Sequence, residues 1–160
     1  MTVSAHWQGR LLHIHTTPKA RAPMVAHSSA DLVAGVGIEG DRYAQGIDTG
    51  TYSAFPDVRE VTLIEVETLE ALLRDHGITL DPSEHRRNLT TRDVPLNHLV
   101  GRRFKVGDVV LEGGRLNTPC RYIDMITGKT IDKLLTHRSG LNCRIITGGS
   151  ITTGAVITPL

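Results

Sequence analysis

Arg103-Phe104-Lys105-Val106-Gly107-Asp108-Val109-Val110-Leu111-Glu112 reads as two short strands around a Gly107-Asp108 turn, and this reading decides the fold class. Its halves carry the β-branched and aromatic residues that suit a pleated, half-buried surface. A glycine followed by aspartate between such runs marks a tight hairpin. The same grammar recurs outward along the chain. Arg10–His15, Asp31–Ala34, Glu60–Ile64, Asn142–Thr147 and Ala155–Thr158 are further strand candidates, and 16 Gly and 7 Pro fall between such runs. That is how an all-β sheet or barrel is punctuated.

Helices are few. From Glu65 to His76, Val66, Leu69, Leu72 and Leu73 fall at helical spacing, acids occupy the first turn, and Gly77 supplies the stop. A shorter helix is predicted after Asn117-Thr118-Pro119-Cys120, with Thr118 as N-cap, Pro119 at the first helical position and Gly128 as its limit. Thr130 is placed to cap another short helix through Leu134-Leu135. Strands and helices do not alternate, which argues against a doubly wound parallel sheet. The expected class is mostly β with a few short helices (α+β), arranged as a mixed β-barrel.

The chain has 160 residues, a single domain at roughly 100–200 residues per domain. Eighteen Lys and Arg stand against 17 Asp and Glu, a net charge of +1. That balance gives no whole-protein field for nucleic acid and no disordered-type charge excess. Apolar residues make up 39%, yet no run approaches the roughly 18–20 residues of a membrane span. Met1-Thr2-Val3-Ser4-Ala5-His6-Trp7 has neither the basic nor the apolar region of a secretory signal. Two cysteines, Cys120 and Cys143, do not make a disulfide framework. The expected setting is cytoplasmic, where a thiol stays reduced, with neither nucleic acid nor membrane as a partner.

The strongest chemical signal is Cys120, which follows Pro119 at a predicted helix start and precedes Arg121. Backbone N–H groups and a neighbouring cation favour a thiolate there. Such a cysteine ligates a soft metal or carries sulfur as a persulfide. The bland alternative is a small buried hydrophobe, and that is the reading for Cys143, inside a predicted strand. A second signal is Arg86-Arg87-Asn88, since paired guanidiniums bind phosphate in a planar, bidentate way. Arg138 and Arg144 are candidates for the same anion site, against the alternative of a solvated or structurally paired cluster.

Gly35-Val36-Gly37-Ile38-Glu39-Gly40 satisfies G-x-G-x-x-G, but no helical periodicity follows it, so it reads as a glycine-rich turn. The turn ends in Asp41-Arg42, a pair that either orients the loop or faces a ligand. His13 and His15 share one strand face, but no Cys/His spacing around them resembles a zinc module. The nucleophile elbow, the zincin helix and the P-loop are absent from the sequence.

In order and spacing these segments resemble the MOSC domain, the module named after the C-terminal domain of molybdenum cofactor sulfurase. Gly37–Ala44 resembles the family's G-D-R-H-A loop, with Tyr43 where His is common. Arg86-Arg87-Asn88-Leu89 matches its R-R-N segment, Leu99–Gly107 resembles the strand that follows, and Pro119-Cys120 matches its signature cysteine. Arg138–Leu141 and Gly149–Gly154 resemble the closing segments, where Ala155 replaces a usual Asp. The series runs from about Gly9 to Ile157, the expected core of a single domain spanning residues 1–160.

The resemblance implies a β-barrel-like fold and molybdenum or sulfur chemistry. In some relatives the cysteine ligates molybdenum of a pterin cofactor (molybdopterin) and supports reduction of N-hydroxylated substrates. Carried over to this chain, Cys120 is the metal ligand and catalytic residue. Arg86, Arg87, Asn88, Asp41, Arg42, Thr118, Arg121 and Arg138 are the cofactor-binding set. A separate electron-transfer protein is then the partner. The family is also proposed to carry sulfur as a cysteine persulfide, which implies sulfur donor and acceptor proteins as partners instead. A barrel that binds without performing chemistry is the third reading. Family descriptions add pyridoxal phosphate, but no lysine context here singles out a Schiff base.

Overall fold

A computed structural model describes residues 3–45 and 59–160. Its strands, in chain order, begin with β1 (Gly9–Thr16), β2 (Val25–His27), β3 (Ser29–Val33), β4 (Gly37–Ile38), β5 (Val61–Glu65) and β6 (Leu89–Arg92). They continue with β7 (Arg103–Val106), β8 (Val109–Leu116), β9 (Leu141–Thr147), β10 (Gly149–Thr152) and β11 (Val156–Pro159). The α-helices are α1 (Val66–His76) and α2 (Arg121–Thr127).

The strand pair that decides the class forms as expected. Val106 opposes Val109 across a two-residue loop, and Gly107 takes a left-handed φ of 58° there, a conformation open to glycine at little steric cost. From this hairpin the sheet runs β11-β7-β8-β9-β5-β6-β1, and β1 pairs back onto β11, closing a barrel of seven strands. The closing seam joins Gly9 to Ile157 and Arg10 to Val156. Every described pairing in the ring is antiparallel except β5–β6, and a parallel pair needs a crossover; α1 provides it. Strand β2 extends β1 outside the ring, and β10-β3-β4 form a small second sheet. The mixed barrel inferred from sequence is the observed fold.

Side chains from Leu11, Ile14, Leu63, Leu89, Phe104 and Leu111 fill the barrel. A second core, formed by Leu69, Leu72, Leu80, Ile123, Ile131 and Leu135, packs α1 against α2. This satellite core fixes the segment that carries Cys120. Asp124 reinforces it by accepting from the backbone N–H of Ile131 at 2.7 Å and of Asp132 at 2.8 Å. Helix α1 ends as predicted, with Gly77 at φ 66° donating to the Leu73 carbonyl at 3.0 Å and Ile78 to the Leu72 carbonyl at 3.2 Å. Among the described residues, no helix is long and apolar enough to cross a membrane.

Glu65 stands at the junction of β5 and α1. Burial, and after it the charge of Glu67, push its carboxyl from the usual 4.5 up to about 7. Between those values the folded chain holds a proton that the unfolded chain has released. Stability therefore falls as pH rises through that window. Glu65→Gln is expected to remove the loss. Urea titrations should show the variant's advantage over wild type growing from near zero at pH 4 to about 1–2 kcal/mol at pH 8, the full shift being reduced by solvent screening of a half-exposed carboxyl.

Candidate functional site

Three consecutive residues entering β6 have different roles. Asn88 is buried, and its Nδ2 donates to the His15 carbonyl at 3.1 Å. Its Oδ1 accepts from the Thr62 backbone N–H at 3.0 Å and from the Thr62 hydroxyl at 3.1 Å. Asn88 thus links β1, β5 and β6 and does not line the cavity described below.

Arg87 lines that cavity, but its guanidinium is bonded to protein. Nε donates to the Ser139 carbonyl at 2.9 Å and Nη1 to the His85 carbonyl at 3.2 Å. Nη2 donates to Asn117 Oδ1 at 2.6 Å and to Ser139 Oγ at 2.9 Å. Burial lowers Arg87 to about 10, which leaves it a cation at neutral pH. Its backbone N–H donates to His85 Nδ1 at 2.9 Å, and His85 Nε2 meets Thr90 Oγ1 at 2.8 Å. An Nδ1 that accepts must be unprotonated. Burial also holds His85 well below the usual histidine range, and the Arg87 charge adds to the shift.

Arg86 is different. Its backbone is left-handed, with φ 70°, a costly conformation for a residue with a Cβ. The residue is 8% exposed. Nη1 donates to the Ala22 carbonyl at 2.6 Å, while Nε and Nη2 have no hydrogen-bond partner among the described residues. A buried guanidinium left with two unmade hydrogen bonds calls for an explanation in a native structure.

The cavity, of about 260 Å³, supplies one. Arg42, Arg59, Arg86, Arg87 and Arg115 line it, and no described lining residue carries a carboxylate. The opposite wall is the approach to α2, with Thr118, Pro119, Cys120 and Tyr122. Asn142 from β9 is fully buried and also lines the cavity. Its Oδ1 accepts from Asn117 at 3.2 Å, while its Nδ2 and the Tyr122 hydroxyl meet no partner at full hydrogen-bond geometry among the described residues, although Tyr122 lies near enough to Arg86 to favour its charge. Tyr43 completes the rim. Its hydroxyl accepts from Arg42 Nη2 at 2.8 Å, and the Arg42 guanidinium carbon lies 4.7 Å from its ring centre.

Of the residues singled out from sequence, Arg42, Arg86, Arg87, Thr118 and Cys120 come together here. Asp41 does not line the cavity. It is buried beneath the loop, accepting from the backbone N–H of Thr17 at 3.1 Å and of Tyr43 at 3.4 Å, and so orients the segment that carries Arg42. Arg121 is exposed and borders a separate hollow with Asp124 and Asp132. Arg138 donates to the Leu134 carbonyl at 2.9 Å, away from the cavity. Arg144 is exposed on β9 and is also not among the lining residues.

The predicted cap shifts by two residues. Cys120 occupies the N-cap position with an extended φ of −147°, and the helix starts at Arg121. Pro119 fixes its own φ and favours extended backbone before it, so Thr118 and Pro119 lead into the helix without joining it. Cys120 is half-buried, whereas Cys143 is sealed in the barrel core and burial pushes its thiol far up. The Gly35–Gly40 stretch is a turn followed by two-residue β4, with no helix opening from it. Among the described residues, no group of three or more His, Cys, Asp or Glu is placed to hold a metal ion. Sequence reading missed Arg59, Arg115, Asn117, Tyr122 and Asn142. The one local signal for them is that Asn117 and Tyr122 lie within three residues of Cys120.

The crystal structure of YuaD from Bacillus subtilis superposes on this fold with a TM-score of 0.78 at 16% identity, covering 95% of this chain and 97% of that one. YiiM from Geobacillus stearothermophilus gives 0.72 at 14% identity, over 95% and 75% of the two chains. YiiM from Escherichia coli gives 0.67 at 18%, over 94% and 69%. Identities this low establish the fold alone. No curated protein matches the sequence. The MOSC domain model matches residues 51–158, a stretch that includes Arg86 and Arg87, the half-buried cysteine, the barrel strands β5 to β9 and all but the last residue of β11. With the closed mixed barrel and most of its cavity wall inside that match, the chain belongs to the MOSC domain family.

Proposed function

We propose that the arginine-lined cavity holds a molybdenum–pterin cofactor, and that the protein is a redox enzyme acting on N-hydroxylated substrates. The observation that carries this reading is Arg86, a buried guanidinium with two unpartnered donors beside a thiol. The lining fits such a group. A guanidinium fork matches phosphate oxygens bidentately, and a thiolate is the soft ligand that a thiophilic metal selects. When bound, the cofactor supplies two-electron redox chemistry at the metal.

The chain's own residues hold and orient. Arg86 presents Nε and Nη2 to an anion, and Cys120 Sγ provides the metal ligand. Arg87 braces the wall by tying β6 to Asn117 and Ser139. Arg42 donates to the Tyr43 oxygen, so the Tyr43 proton is directed elsewhere, and no described residue accepts it. A separate electron-transfer protein delivers the electrons.

Protein made in a host that synthesises the pterin cofactor is expected to carry about one molybdenum per chain, and Cys120→Ser to lose it, because one sulfur is the metal's only soft protein ligand. Arg86→Gly should lower metal retention while the empty chain keeps its stability or gains about 1 kcal/mol from relief of the left-handed backbone. Metal-free wild type from that host, measured by elemental analysis, sinks the proposal.

A second reading, a sulfur carrier with a persulfide on Cys120, is supported by the contrast between the two thiols. A carrier must meet both donor and acceptor, and Cys120 is half-buried where Cys143 is sealed.

A further inference from the structure

Orphan donors define a subsite within the cavity. Arg86 Nε and Nη2, Asn142 Nδ2 and the Tyr122 hydroxyl are buried atoms that meet no partner at full hydrogen-bond geometry among the described residues, and all three side chains line the same cavity as Cys120. Asn142 is fully buried and Arg86 is more than nine-tenths buried. A planar cation with a phenol near it, and an amide in the wall of the same cavity, is a donor set for an oxyanion rather than for a neutral or cationic group. The neighbouring nucleophile is sulfur. We infer that this subsite makes the protein a sulfurtransferase that accepts sulfur from thiosulfate-class donors, small molecules in which a sulfane sulfur is bonded to an oxyanionic leaving group. This inference rests on the sulfur-carrier reading and names its donor.

The chemistry balances without an external oxidant. The Cys120 thiolate uses its electron pair to form a bond to the outer sulfur of thiosulfate. The sulfur–sulfur bond of thiosulfate breaks, and its electron pair departs on sulfite. Cys120 is left as a persulfide anion. Cyanide, as acceptor, takes the outer sulfur as thiocyanate and returns the thiolate. Negative charge grows on the sulfonate end as the bond breaks, and donors already fixed around that end stabilise the growing charge without reorganising. Arg86 fits that role, since its guanidinium is placed before any ligand arrives.

Cys143 is an internal control. It is sealed in the barrel, so chemistry that depends on the cavity leaves it unchanged.

The test uses the full chain made in a host that cannot synthesise the pterin cofactor. Incubation with thiosulfate should release sulfite and add the mass of one sulfur atom to Cys120 and none to Cys143. Cyanide should then sustain turnover to thiocyanate. Tyr122→Phe removes a hydroxyl that meets no partner at full hydrogen-bond geometry and whose described polar neighbour is Arg86, and its urea midpoint, measured alongside, should stay within about 1 kcal/mol of wild type. Its kcat/KM for thiosulfate should fall about 3- to 10-fold, the size of one neutral hydrogen bond. Arg86→Met should cost about 10- to 100-fold, as befits charged hydrogen bonds. Sulfate should compete with thiosulfate in wild type and lose that effect in Arg86→Met. Polysulfide, a donor with no oxyanion, should load both variants as fast as wild type. If polysulfide loads Cys120 but thiosulfate does not, or thiosulfate loads the variants at the wild-type rate, the inference is overturned while the carrier reading stands. If neither donor modifies Cys120, both fall.

Discussion

Gly140→Ala is expected to destabilise the fold by more than about 4 kcal/mol. Gly140 has a φ of 108°, and a Cβ built on it lies 2.1 Å from the Leu63 carbonyl oxygen. The atoms that the Cβ meets are backbone, the Leu63 carbonyl oxygen and carbon, so no flexible side-chain end can move aside. The contact falls where β9 begins to pair with β5, next to the Leu63–Leu141 register. The carbonyl of Gly140 also accepts the Asn117 N–H at 2.8 Å, which sets the entry to the cysteine-bearing segment. A domain of this kind has a total stability of about 5–15 kcal/mol, so the loss removes a large share of it. Urea unfolding should show the transition shifted to much lower denaturant or missing. Gly154→Ala is the control: φ is 90°, but a Cβ there meets nothing within 4 Å. It should cost only about 1–2 kcal/mol, for its backbone conformation.

Arg87→Met should destabilise by about 3–5 kcal/mol, the range for removing one partner from a buried charged network. Four acceptors lose the guanidinium together: the carbonyls of Ser139 and His85, Ser139 Oγ, and Asn117 Oδ1, which keeps only the Ser139 hydroxyl at 3.3 Å. Asn117 and Ser139 lie on either side of α2, so the wall opposite Arg86 loosens as well. Molybdenum retention and sulfur loading should both fall in this variant, even in the folded fraction. Arg87→Lys should restore little, because a single ammonium cannot span three residues held by a planar fork. A variant that unfolds at the wild-type urea midpoint would show that these bonds are replaced by water at no net cost.

The sequence showed the hairpin β7–β8 and the helix α1 because both carry their period locally, alternating burial in one and Val66, Leu69, Leu72 in the other. Strand β6 escaped it. Leu89-Thr90-Thr91-Arg92 holds one apolar residue, yet Leu89, Thr90 and Thr91 are all buried, and hydrogen bonds replace the hydrophobic pattern there. The site divides in the same way. Cys120 was legible from its Pro119 and Arg121 neighbours. Arg86 and Arg87 were legible as a pair, but nothing local tells which is bonded to protein and which is left with open donors. Asn142 could not be found locally at all. It reaches the cavity because β9 pairs with β8, where it stands opposite Arg115. That neighbourhood exists only in the folded sheet. Asn88 is the converse case, a polar residue within a motif whose side chain holds three strands together.

The barrel closes where β1 meets β11, so its first strand waits on the ribosome until Val156 and Ile157 have been made. Until then β7 and the start of β1, which β2 does not cover, present open edges, templates for pairing with other chains. Nascent chains halted before Val156 should therefore be targets for chaperones and should aggregate when released, even though most of the cavity wall has already been synthesised.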